Sequence, residues 1–491
     1  MRLDQLINNI SSVSILGFPE TKEIGNITNN SAEVNNKSIF IAIKGFKTDG
    51  RKFITHAISN GAQAIVMEED NETPDDLFLK NDVVKIVVNN SRRVFAELSC
   101  VLYENPSKEL KLIGITGSNG KTTTAFYIKN ILETAGYKTG LLGTIANYVG
   151  DEKIDSSLTT PEPNKINQYL RNMVDSNYTH CVMEVSSHSL ALDRVYKLDF
   201  DYALFTNITS DHLDFHSDID NYLKSKKILF DSIKSSGEIV FNKDDEKWEQ
   251  LLMNNDRSLH SYGVGLDTEY SITNIEFDLN GTSFNLDLNE KSYHIETQLI
   301  GKFNAYNAAA AAAVCLLEGI EIETVIEGIK TTPQVPGRFE VISSGSKKVI
   351  VDYSHTADSL QKALESIHHV AKGERPIYTV FGCGGDRDRS KRPVMGRIAS
   401  ELSDTIYVTS DNPRTEDPLQ IIEEIMTGIE GKVAVINPDR EEAIKNAICN
   451  SEENAVILIA GKGHEDYQII NGVKNHFSDK ETATKYLNEC K

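Results

Sequence analysis

The last third of this chain contains four short apolar runs, and each run ends in a cluster of polar residues. Runs of this length and composition are typical of buried strands in a parallel sheet. The carboxyl ends of parallel strands meet at one edge, where ligands bind in α/β folds. The runs and their clusters are 349–353 with 354–355, 378–381 with 382–389, 407–409 with 411–414, and 456–460 with 461–465. The sequence therefore predicts an α/β fold with a binding site at this edge.

The length of 491 residues predicts three domains, because one hydrophobic core rarely grows this large. Tyr103-Glu104-Asn105-Pro106 interrupts the first alternation of strands and helices, and the segment 332–337 has two prolines and a glycine, as linkers do. The predicted domains are 1–105, 106–332 and 333–491. Each of the three is expected to be of the α/β type.

Composition and charge restrict the function. A net charge of −21 argues against a general nucleic-acid or membrane-surface binder, since no basic field would attract phosphates. The longest apolar stretch, Ala308–Leu317, is too short to cross a bilayer, and the N-terminus has no secretory pattern. The six cysteines show no metal-ligand spacing and are interpreted as reduced cytosolic thiols. We expect a cytoplasmic monomer.

A second candidate site lies at Gly117-Ser118-Asn119-Gly120-Lys121-Thr122, directly after the apolar run Leu112–Ile115. Glycines allow backbone N–H groups to surround a phosphate, the lysine offsets its charge, and a threonine hydroxyl can bind Mg²⁺. An apolar helical face follows and ends at Gly136. Two residues rather than the usual four separate the glycines, so a simple glycine turn is the alternative. The context of strand, loop and helix favours phosphate binding.

The same loop, with Thr116 before it, closely resembles the ATP loop of the Mur ligase family. Further segments in the same order resemble that family, and the likeness runs from about residue 28 to residue 479. They are Glu184-Val185-Ser186-Ser187-His188, Thr206-Asn207, Asp211-His212-Leu213-Asp214, Asn304-Ala305-Tyr306-Asn307, Pro336-Gly337-Arg338 and Asp352-Tyr353-Ser354-His355. The resemblance implies a uridine-binding N-terminal domain, a central P-loop ATPase domain with a mostly parallel sheet, and a Rossmann-like C-terminal domain.

The resemblance also implies a reaction. Members of the family phosphorylate a carboxylate with ATP, and an amine then attacks the acyl phosphate. Such chemistry concentrates negative charge, which lysine and Mg²⁺ offset. The implied ATP-binding residues are Thr116, Gly117, Ser118, Asn119, Gly120, Lys121, Thr122, Asn304, Arg338 and Asp352.

Lys121, Lys226 and His212 are the catalytic residues that the resemblance implies. Thr122, Glu184, His212 and a carbamylated Lys226 would hold Mg²⁺. Judged by position alone, Glu184 could instead be a solvated carboxylate, His212 a core residue and Lys226 part of a solvated helix face.

The accepting substrate that the resemblance implies is UDP-N-acetylmuramoyl-L-alanyl-D-glutamate. Its implied binding residues are Ser31, Thr159, Thr160, Ser186 and Arg194. The family usually has Asp-Ser-Arg around the first of these, whereas this chain has Asn30-Ser31-Ala32. The serine is retained and both charged neighbours are absent, which weakens the expectation for the uridine half.

Asp411-Asn412-Pro413-Arg414 has the form that the family associates with meso-diaminopimelate. This amino acid has a second carboxylate that lysine lacks, and a guanidinium pairs with a carboxylate through two hydrogen bonds. Arg387, Gly461 and Glu465 match the other amino-acid contacts, with Glu465 on the distal ammonium. Asp-Asn-Pro alone could be a turn and helix cap.

Three other functions stay open. A ligase of the same fold could add lysine, ornithine or another diamine. A folylpolyglutamate-type ligase is a more distant alternative and lacks Asp-Asn-Pro-Arg at this position. A nucleotide-binding paralogue without ligase activity is the third.

Overall fold

A computed structural model describes residues 1–8, 10–46, 48–69, 73–150, 152–209, 213–265 and 267–490 of the chain. Three separate β-sheets follow one another along the sequence, and each is flanked by helices. The predicted α/β class with three sheet-containing units is thereby confirmed. The strands of each sheet fall within one of the predicted ranges 1–105, 106–332 and 333–491. The domain limits themselves stay a prediction.

The first sheet has five strands in the order β1-β5-β4-β3-β2, with β1 antiparallel and the others parallel. Apolar clusters cover both of its faces, so its central strands are buried along their length. The strands are β1 (Ser12–Leu16), β2 (Asn26–Thr28), β3 (Ser38–Ala42), β4 (Ala64–Glu68) and β5 (Val84–Val88). The helices are α1 (Leu3–Ile7), α2 (Ile54–Ser59), α3 (Asp75–Lys80) and α4 (Ser91–Leu102).

The central sheet has eleven strands in the order β16-β15-β14-β13-β12-β11-β6-β10-β7-β8-β9. Its middle, from β14 to β7, is parallel, and each flank is antiparallel. The strands are β6 (Lys111–Thr116), β7 (Thr139–Leu142), β8 (Ala146–Val149), β9 (Glu152–Asp155), β10 (His180–Glu184), β11 (Tyr202–Phe205), β12 (Glu238–Asn242), β13 (Ser258–Val264), β14 (Tyr270–Asp278), β15 (Gly281–Leu288) and β16 (Lys291–Thr297).

Helices cover both faces of the central sheet. The alanine-rich α11 is buried along most of its length against one face, as a packed helix should be. The helices are α5 (Lys121–Thr134), α6 (Pro163–Asp175), α7 (Ser187–Ala191), α8 (Leu213–His216), α9 (Ile219–Ser232), α10 (Trp248–Leu252), α11 (Lys302–Leu317) and α12 (Ile322–Thr331). Within the described ranges, no helix is both long enough and apolar enough to span a bilayer.

The third sheet has six strands in the order β17-β18-β22-β19-β20-β21, and a separate hairpin follows it. The strands are β17 (Glu340–Ser344), β18 (Lys347–Asp352), β19 (Ile377–Phe381), β20 (Thr405–Val408), β21 (Val433–Ile436) and β22 (Val456–Ala460), with β23 (Tyr467–Ile470) and β24 (Val473–His476) in the hairpin. The helices are α13 (Ala357–Ala371), α14 (Lys391–Leu402), α15 (Pro418–Met426), α16 (Arg440–Cys449) and α17 (Asp479–Glu489).

The four apolar runs of the third sheet are the strands β18, β22, β19 and β20. They are neighbours in that order and all parallel, as the sequence predicts. Their carboxyl ends therefore lie side by side, and the polar clusters that follow them share one edge.

The interpretation of all six cysteines as reduced thiols is wrong for one pair. Cys449 and Cys490 form a disulfide between the end of α16 and the end of α17. The sequence could not suggest this pairing, because 41 positions separate the two residues and only the packing of the two helices brings them together. The remaining cysteines, Cys100, Cys181, Cys315 and Cys383, are unpaired and buried.

Candidate active site

The predicted phosphate loop connects β6 to α5 and is held open by two glycines in the left-handed region. Gly117 has φ +148° and Gly120 has φ +89°, and a Cβ on Gly117 would lie 1.9 Å from Thr206 Oγ1. Thr206 donates a hydrogen bond to the carbonyl of Asn119 (2.6 Å), and the side chain of Asn207 accepts one from the Asn119 N–H (3.0 Å). The two residues that follow β11 thus hold the loop in place.

Lys121 and Thr122, the first residues of α5, occupy the two positions that a phosphate loop requires. The Nζ of Lys121 donates to the carbonyls of Gly117 (2.8 Å) and Ser118 (2.9 Å), so it lies over the loop. The hydroxyl of Thr122 donates to Glu184 Oε2 (2.8 Å). The loop therefore brings a lysine ammonium, a hydroxyl and a carboxylate together.

Glu184, at the end of β10, has a carboxylate that is almost completely buried, with only 1% of the residue exposed. It accepts hydrogen bonds from the Thr144 N–H (2.8 Å) and the Thr144 hydroxyl (3.0 Å) in addition to Thr122. A carboxylate and a hydroxyl in contact are the hard oxygen ligands that Mg²⁺ prefers. Thr122 and Glu184 therefore fit a Mg²⁺ site.

Lys226, on α9, also contacts the loop and is 1% exposed. Its Nζ donates to the Gly117 carbonyl (2.9 Å) and lies 4.5 Å from the ring centroid of Tyr222. Lys226 is therefore buried against the loop backbone and does not lie on a solvated face of its helix. His212, the other predicted ligand, lies outside the described residues.

A cavity of about 1000 Å³ extends from the loop to the third domain. Ser118, Gly120, Lys121 and Thr122 line one side, and Arg338, Asp352 and Tyr353 line the other. Asp352 is fixed by the N–H groups of Phe339 (2.7 Å) and Ser354 (3.0 Å). The loop and the third domain therefore enclose one space.

Two side-chain contacts join the loop to the third domain directly. Arg338 Nη2 donates to the Thr122 hydroxyl (3.2 Å), and Asn119 Nδ2 donates to Asp358 Oδ2 (3.1 Å) at the start of α13. The predicted ATP residue Asn304 lies behind the cavity wall, where it binds Asn307, and it is Asn307 that faces the loop.

His464, just past β22 in the third domain, interacts with the backbone of Thr144 in the central domain. Burial and the positive charge of Arg338 lower the pKa of His464 to about 3. Its Nδ1 is buried without a hydrogen-bond partner among the described residues. A neutral imidazole therefore lies where the third domain meets the Thr144 segment of the central domain.

Four of the five residues predicted for the accepting substrate lie together beside Glu184. The Thr160 hydroxyl donates to the Glu184 carbonyl (2.8 Å) and accepts from the Ser186 N–H (3.0 Å). Arg194 donates to the Thr160 carbonyl (3.2 Å), and Thr159 binds the Thr144 hydroxyl (3.1 Å).

Ser31 lies in the first domain, away from these residues. Its hydroxyl is 3.0 Å from His56 Nδ1, and its carbonyl accepts from Asn60 (2.8 Å). A smaller cavity of about 230 Å³ opens between its neighbours Asn29 and Glu33 and the start of α6. The first domain therefore borders a polar cleft next to the Thr159–Thr160 segment.

The residues predicted for the amino acid meet at the edge of the third sheet. Arg414 Nη1 donates to the Gly385 carbonyl (2.7 Å). A Cβ on Gly384 would lie 2.9 Å from Arg414 Nη1 and 3.7 Å from Arg387 Cγ, so both arginines flank this glycine. Both arginine side chains therefore lie beside Gly384, and a guanidinium can bind a carboxylate through two hydrogen bonds.

Next to the arginines, Asn412 Nδ2 donates to Glu465 Oε2 (3.0 Å). Asp411 is 7% exposed, and its Oδ2 lies 3.3 Å from the Cβ position of Gly461. Pro413, between Asn412 and Arg414, is buried as well. The residues predicted for the amino acid therefore lie at the ends of the three neighbouring strands β22, β19 and β20.

Sequence reasoning missed the charged residues that support this edge from inside. Arg440 and Asp479 form a fully buried ion pair (2.7 Å), and Arg440 also donates to the carbonyls of Ser410 (3.2 Å) and Ala460 (3.0 Å) at the ends of β20 and β22. Neither residue has a local motif, so no sequence signal could identify them. Both hold strand ends that carry predicted ligands.

Two further supports were also missed. Arg392, fully buried on α14, binds Glu416 (2.9 Å) and Glu424 (2.8 Å) and donates to the Gly384 carbonyl (3.3 Å). The hairpin β23–β24 binds the Asp-Asn-Pro-Arg segment through the Ile469 N–H, which donates to Asn412 Oδ1 (2.9 Å).

The order of these sites along the chain matches three family models: the Mur ligase family catalytic domain over residues 23–103, the Mur ligase middle domain over 115–315, and the Mur ligase glutamate ligase domain over 337–463. Together they cover most of the chain. The chain belongs to the Mur ligase family.

Individual relatives of this Mur ligase agree. The UDP-N-acetylmuramoyl-L-alanyl-D-glutamate-2,6-diaminopimelate ligase of Clostridium botulinum is 45% identical over 471 residues, which cover 95% of this chain and 96% of that protein. A solved structure of a ligase with the same name matches with a TM-score of 0.69 at 28% identity, covering 100% of this chain and 99% of that one. The MurF ligase of Thermotoga maritima, solved in complex with ADP, matches with a TM-score of 0.65 at 19% identity, covering 96% of this chain and 98% of that one.

Proposed function

We propose that this Mur ligase uses ATP to join meso-2,6-diaminopimelate to UDP-N-acetylmuramoyl-L-alanyl-D-glutamate through an acyl phosphate, a step of peptidoglycan precursor synthesis. The observation that carries the proposal is the meeting of Arg387, Arg414 and Glu465 at one edge of the third sheet. The Clostridium botulinum relative, whose name contains both substrates, supports it.

ATP would lie in the 1000 Å³ cavity, with its phosphates on the loop. Backbone N–H groups at the start of α5 would bind the phosphates, and Lys121 would leave its carbonyl partners to offset their charge. Thr122 and Glu184 would hold Mg²⁺, which offsets the charge that develops between phosphate and carboxylate. Carbamylation of Lys226 would replace an ammonium with an anionic group that fits beside such a cation.

The accepting carboxylate would approach from the segment Thr159–Thr160. Arg194 already donates to the Thr160 carbonyl there and is bound to Glu162 (3.0 Å), so its guanidinium is held in place. The UDP half would then extend toward Ser31 and the polar cleft of the first domain.

The amino acid would bind with its distal carboxylate on Arg414 and Arg387 and its distal ammonium on Glu465. A paired guanidinium and carboxylate match the two groups of diaminopimelate. Lysine would satisfy only Glu465, because it has no second carboxylate. This difference favours diaminopimelate over lysine and other diamines.

Phosphate release by the purified chain tests the proposal. With ATP, Mg²⁺ and the muramoyl dipeptide, we expect multiple turnovers only when diaminopimelate is added, and lysine at equal concentration should support far slower release. Equal rates with lysine would favour a ligase with broader amine specificity. No release with either amino acid, together with normal ATP binding, would favour a paralogue without ligase activity. The cytoplasmic monomer stays a prediction.

A further inference from the structure

Lys462 is a fully buried lysine inside the candidate amino-acid site, and the proposed reaction assigns it no role. Its side chain is 0% exposed. Nζ donates to Glu465 Oε2 (3.1 Å) and to Asn412 Oδ1 (3.2 Å), and it lies 3.5 Å from Asp411 Oδ1. A lysine is almost never buried without paired charges, so these contacts explain its position.

The three charged side chains in this cluster do not balance. Asp411 and Glu465 supply two negative charges, and Lys462 supplies one positive charge. Asp411 Oδ1 is buried and has no hydrogen-bond partner among the described residues, since its distance to Lys462 exceeds an ordinary hydrogen bond. The charge of Arg440 also acts on both carboxylates, but Arg440 is already paired with Asp479, so one negative charge of the cluster remains for a ligand.

The contacts of Glu465 show where that ligand would bind. Both Lys462 and Asn412 donate to its Oε2. Asn412 is itself oriented by Lys462 and by the Ile469 N–H, which both donate to its Oδ1. Lys462 therefore fixes the glutamate directly and through Asn412, and it leaves the other carboxylate oxygen to the ligand.

We propose that Lys462 is a positioning residue that adjusts the charge of the amino-acid site so that it accepts a substrate with one distal ammonium. Removal of Lys462 would leave two carboxylates facing a single ammonium and would release Glu465 from its orientation. The inference rests on the proposed function, because it deepens the role of the same amino-acid site.

A charge-balance experiment on the full chain tests this role. Lys462→Met removes the positive charge with little change in length, Asp411→Asn removes one negative charge, and the double variant restores the original net charge of the cluster. The exposed Lys432→Met in the same domain is the matched control. The measurement is KM for meso-diaminopimelate, ATP and the muramoyl dipeptide in each variant.

We expect Lys462→Met to raise KM for diaminopimelate by about tenfold or more, since Glu465 loses the ammonium that orients it and the buried carboxylates of Asp411 and Glu465 then repel each other. KM for ATP and for the muramoyl dipeptide should stay within about twofold, because the loop lies outside the cluster. Adding Asp411→Asn to Lys462→Met should lower KM for diaminopimelate again by at least about threefold. The control should match the wild type.

An unchanged KM for diaminopimelate in folded Lys462→Met would overturn the inference, as would two effects that simply multiply in the double variant. If Lys462→Met unfolds and Asp411→Asn does not restore folding, Lys462 serves stability alone and the inference is wrong. A wild-type chain that does not use diaminopimelate would instead refute the proposed function, so the two failures are distinguishable.

Discussion

The phosphate loop and the amino-acid edge of the third sheet are built in different ways. The loop is one contiguous segment between β6 and α5, and the side chains of Thr206 and Asn207, directly after the neighbouring β11, hold its backbone. The amino-acid edge gathers side chains from three strand ends, and buried charges hold it from inside. A site made of backbone is set by local sequence, whereas a site made of distant side chains depends on the whole domain.

The difference predicts where substitutions should act. Loss of Lys121 should remove chemistry and leave stability intact, because the hydrogen bonds from Thr206 and to Asn207 still hold the loop backbone. A change beneath the amino-acid edge should cost stability and substrate selection together, because the same buried ion pairs serve both.

The largest effect is expected for Lys121→Ala. Loss of the main counter-charge on the phosphates should lower kcat by roughly a thousandfold, as removal of one preorganised charge does elsewhere. Phosphate release measures the loss, and circular dichroism should show an intact fold. Lys129→Ala, on the same helix and in a surface pair with Glu133, is the control and should be fully active. Ligation by a folded Lys121→Ala variant would contradict the loop assignment.

Asp479→Asn breaks the buried pair with Arg440 and leaves a guanidinium without its charge partner. We expect the free energy of unfolding of the third domain to fall by about 3–5 kcal/mol, measured by urea denaturation. Glu441→Gln is a matched control, since Glu441 and Lys485 join the same two helices through an exposed pair (2.9 Å). Its effect should stay below about 1 kcal/mol. Equal losses would show that burial of the pair does not matter.

Lys226→Ala should lower turnover by about a hundredfold, because the variant has no lysine to carbamylate and so lacks the proposed anion beside the loop. Short carboxylic acids added to this variant should restore part of the activity if they replace that anion. Lys224→Ala, exposed on the same helix, should behave as wild type. Full activity of Lys226→Ala would exclude the lysine from the site.

Arg414→Ala should reduce kcat/KM for diaminopimelate by about thirtyfold, since stranding a carboxylate costs on the order of 2 kcal/mol or more. Lysine has no distal carboxylate to strand, so its kcat/KM should fall far less. Both values are measured in parallel, with Arg397→Ala as an exposed control on α14. A common factor for both amino acids would make Arg414 structural.

The smallest effect is expected for the ion pairs of Glu424 with Arg389 and Arg392, which should make the stability of the third domain depend on pH. The guanidinium of Arg389, together with Arg392, lowers the pKa of Glu424 from its usual 4.5 to about 2. The folded pKa lies below the unfolded value, so the stabilisation is complete above pH 4.5 and is lost as the pH falls toward 2. Glu424→Gln should lower Tm by about 1–2 °C at neutral pH.

This difference in Tm between Glu424→Gln and the wild type should shrink as the pH is lowered from 6 toward 3, followed by thermal denaturation. A difference that grows on acidification would mean that the carboxylate is not held in its ionised form by the two arginines.

The sequence predicted those parts of the molecule that a short contiguous pattern specifies. The four parallel strands follow from apolar runs, and the loop follows from Gly117, Gly120 and Lys121. Arg440 and Asp479 could not be predicted, because their partners lie 39 positions apart and no short motif marks a buried ion pair. The antiparallel flanks of the central sheet were missed as well, since their alternation is weaker than a continuous apolar run.

Asn304 and Asn307 show a finer limit. The segment containing both was identified, but a helix places residues three apart on the same side, and only packing decides which of them reaches the cavity. Asn307 faces the loop, and Asn304 supports it from behind.

The contact between Arg338 and Thr122 couples two events that would otherwise be separate. It joins the third domain to the residue that would hold Mg²⁺. By thermodynamic linkage, a nucleotide that binds more tightly when the two domains touch must also favour their touching, by the same factor. Release of the spent nucleotide and separation of the domains then share one equilibrium, so a substitution that weakens the contact between the domains should also weaken nucleotide binding.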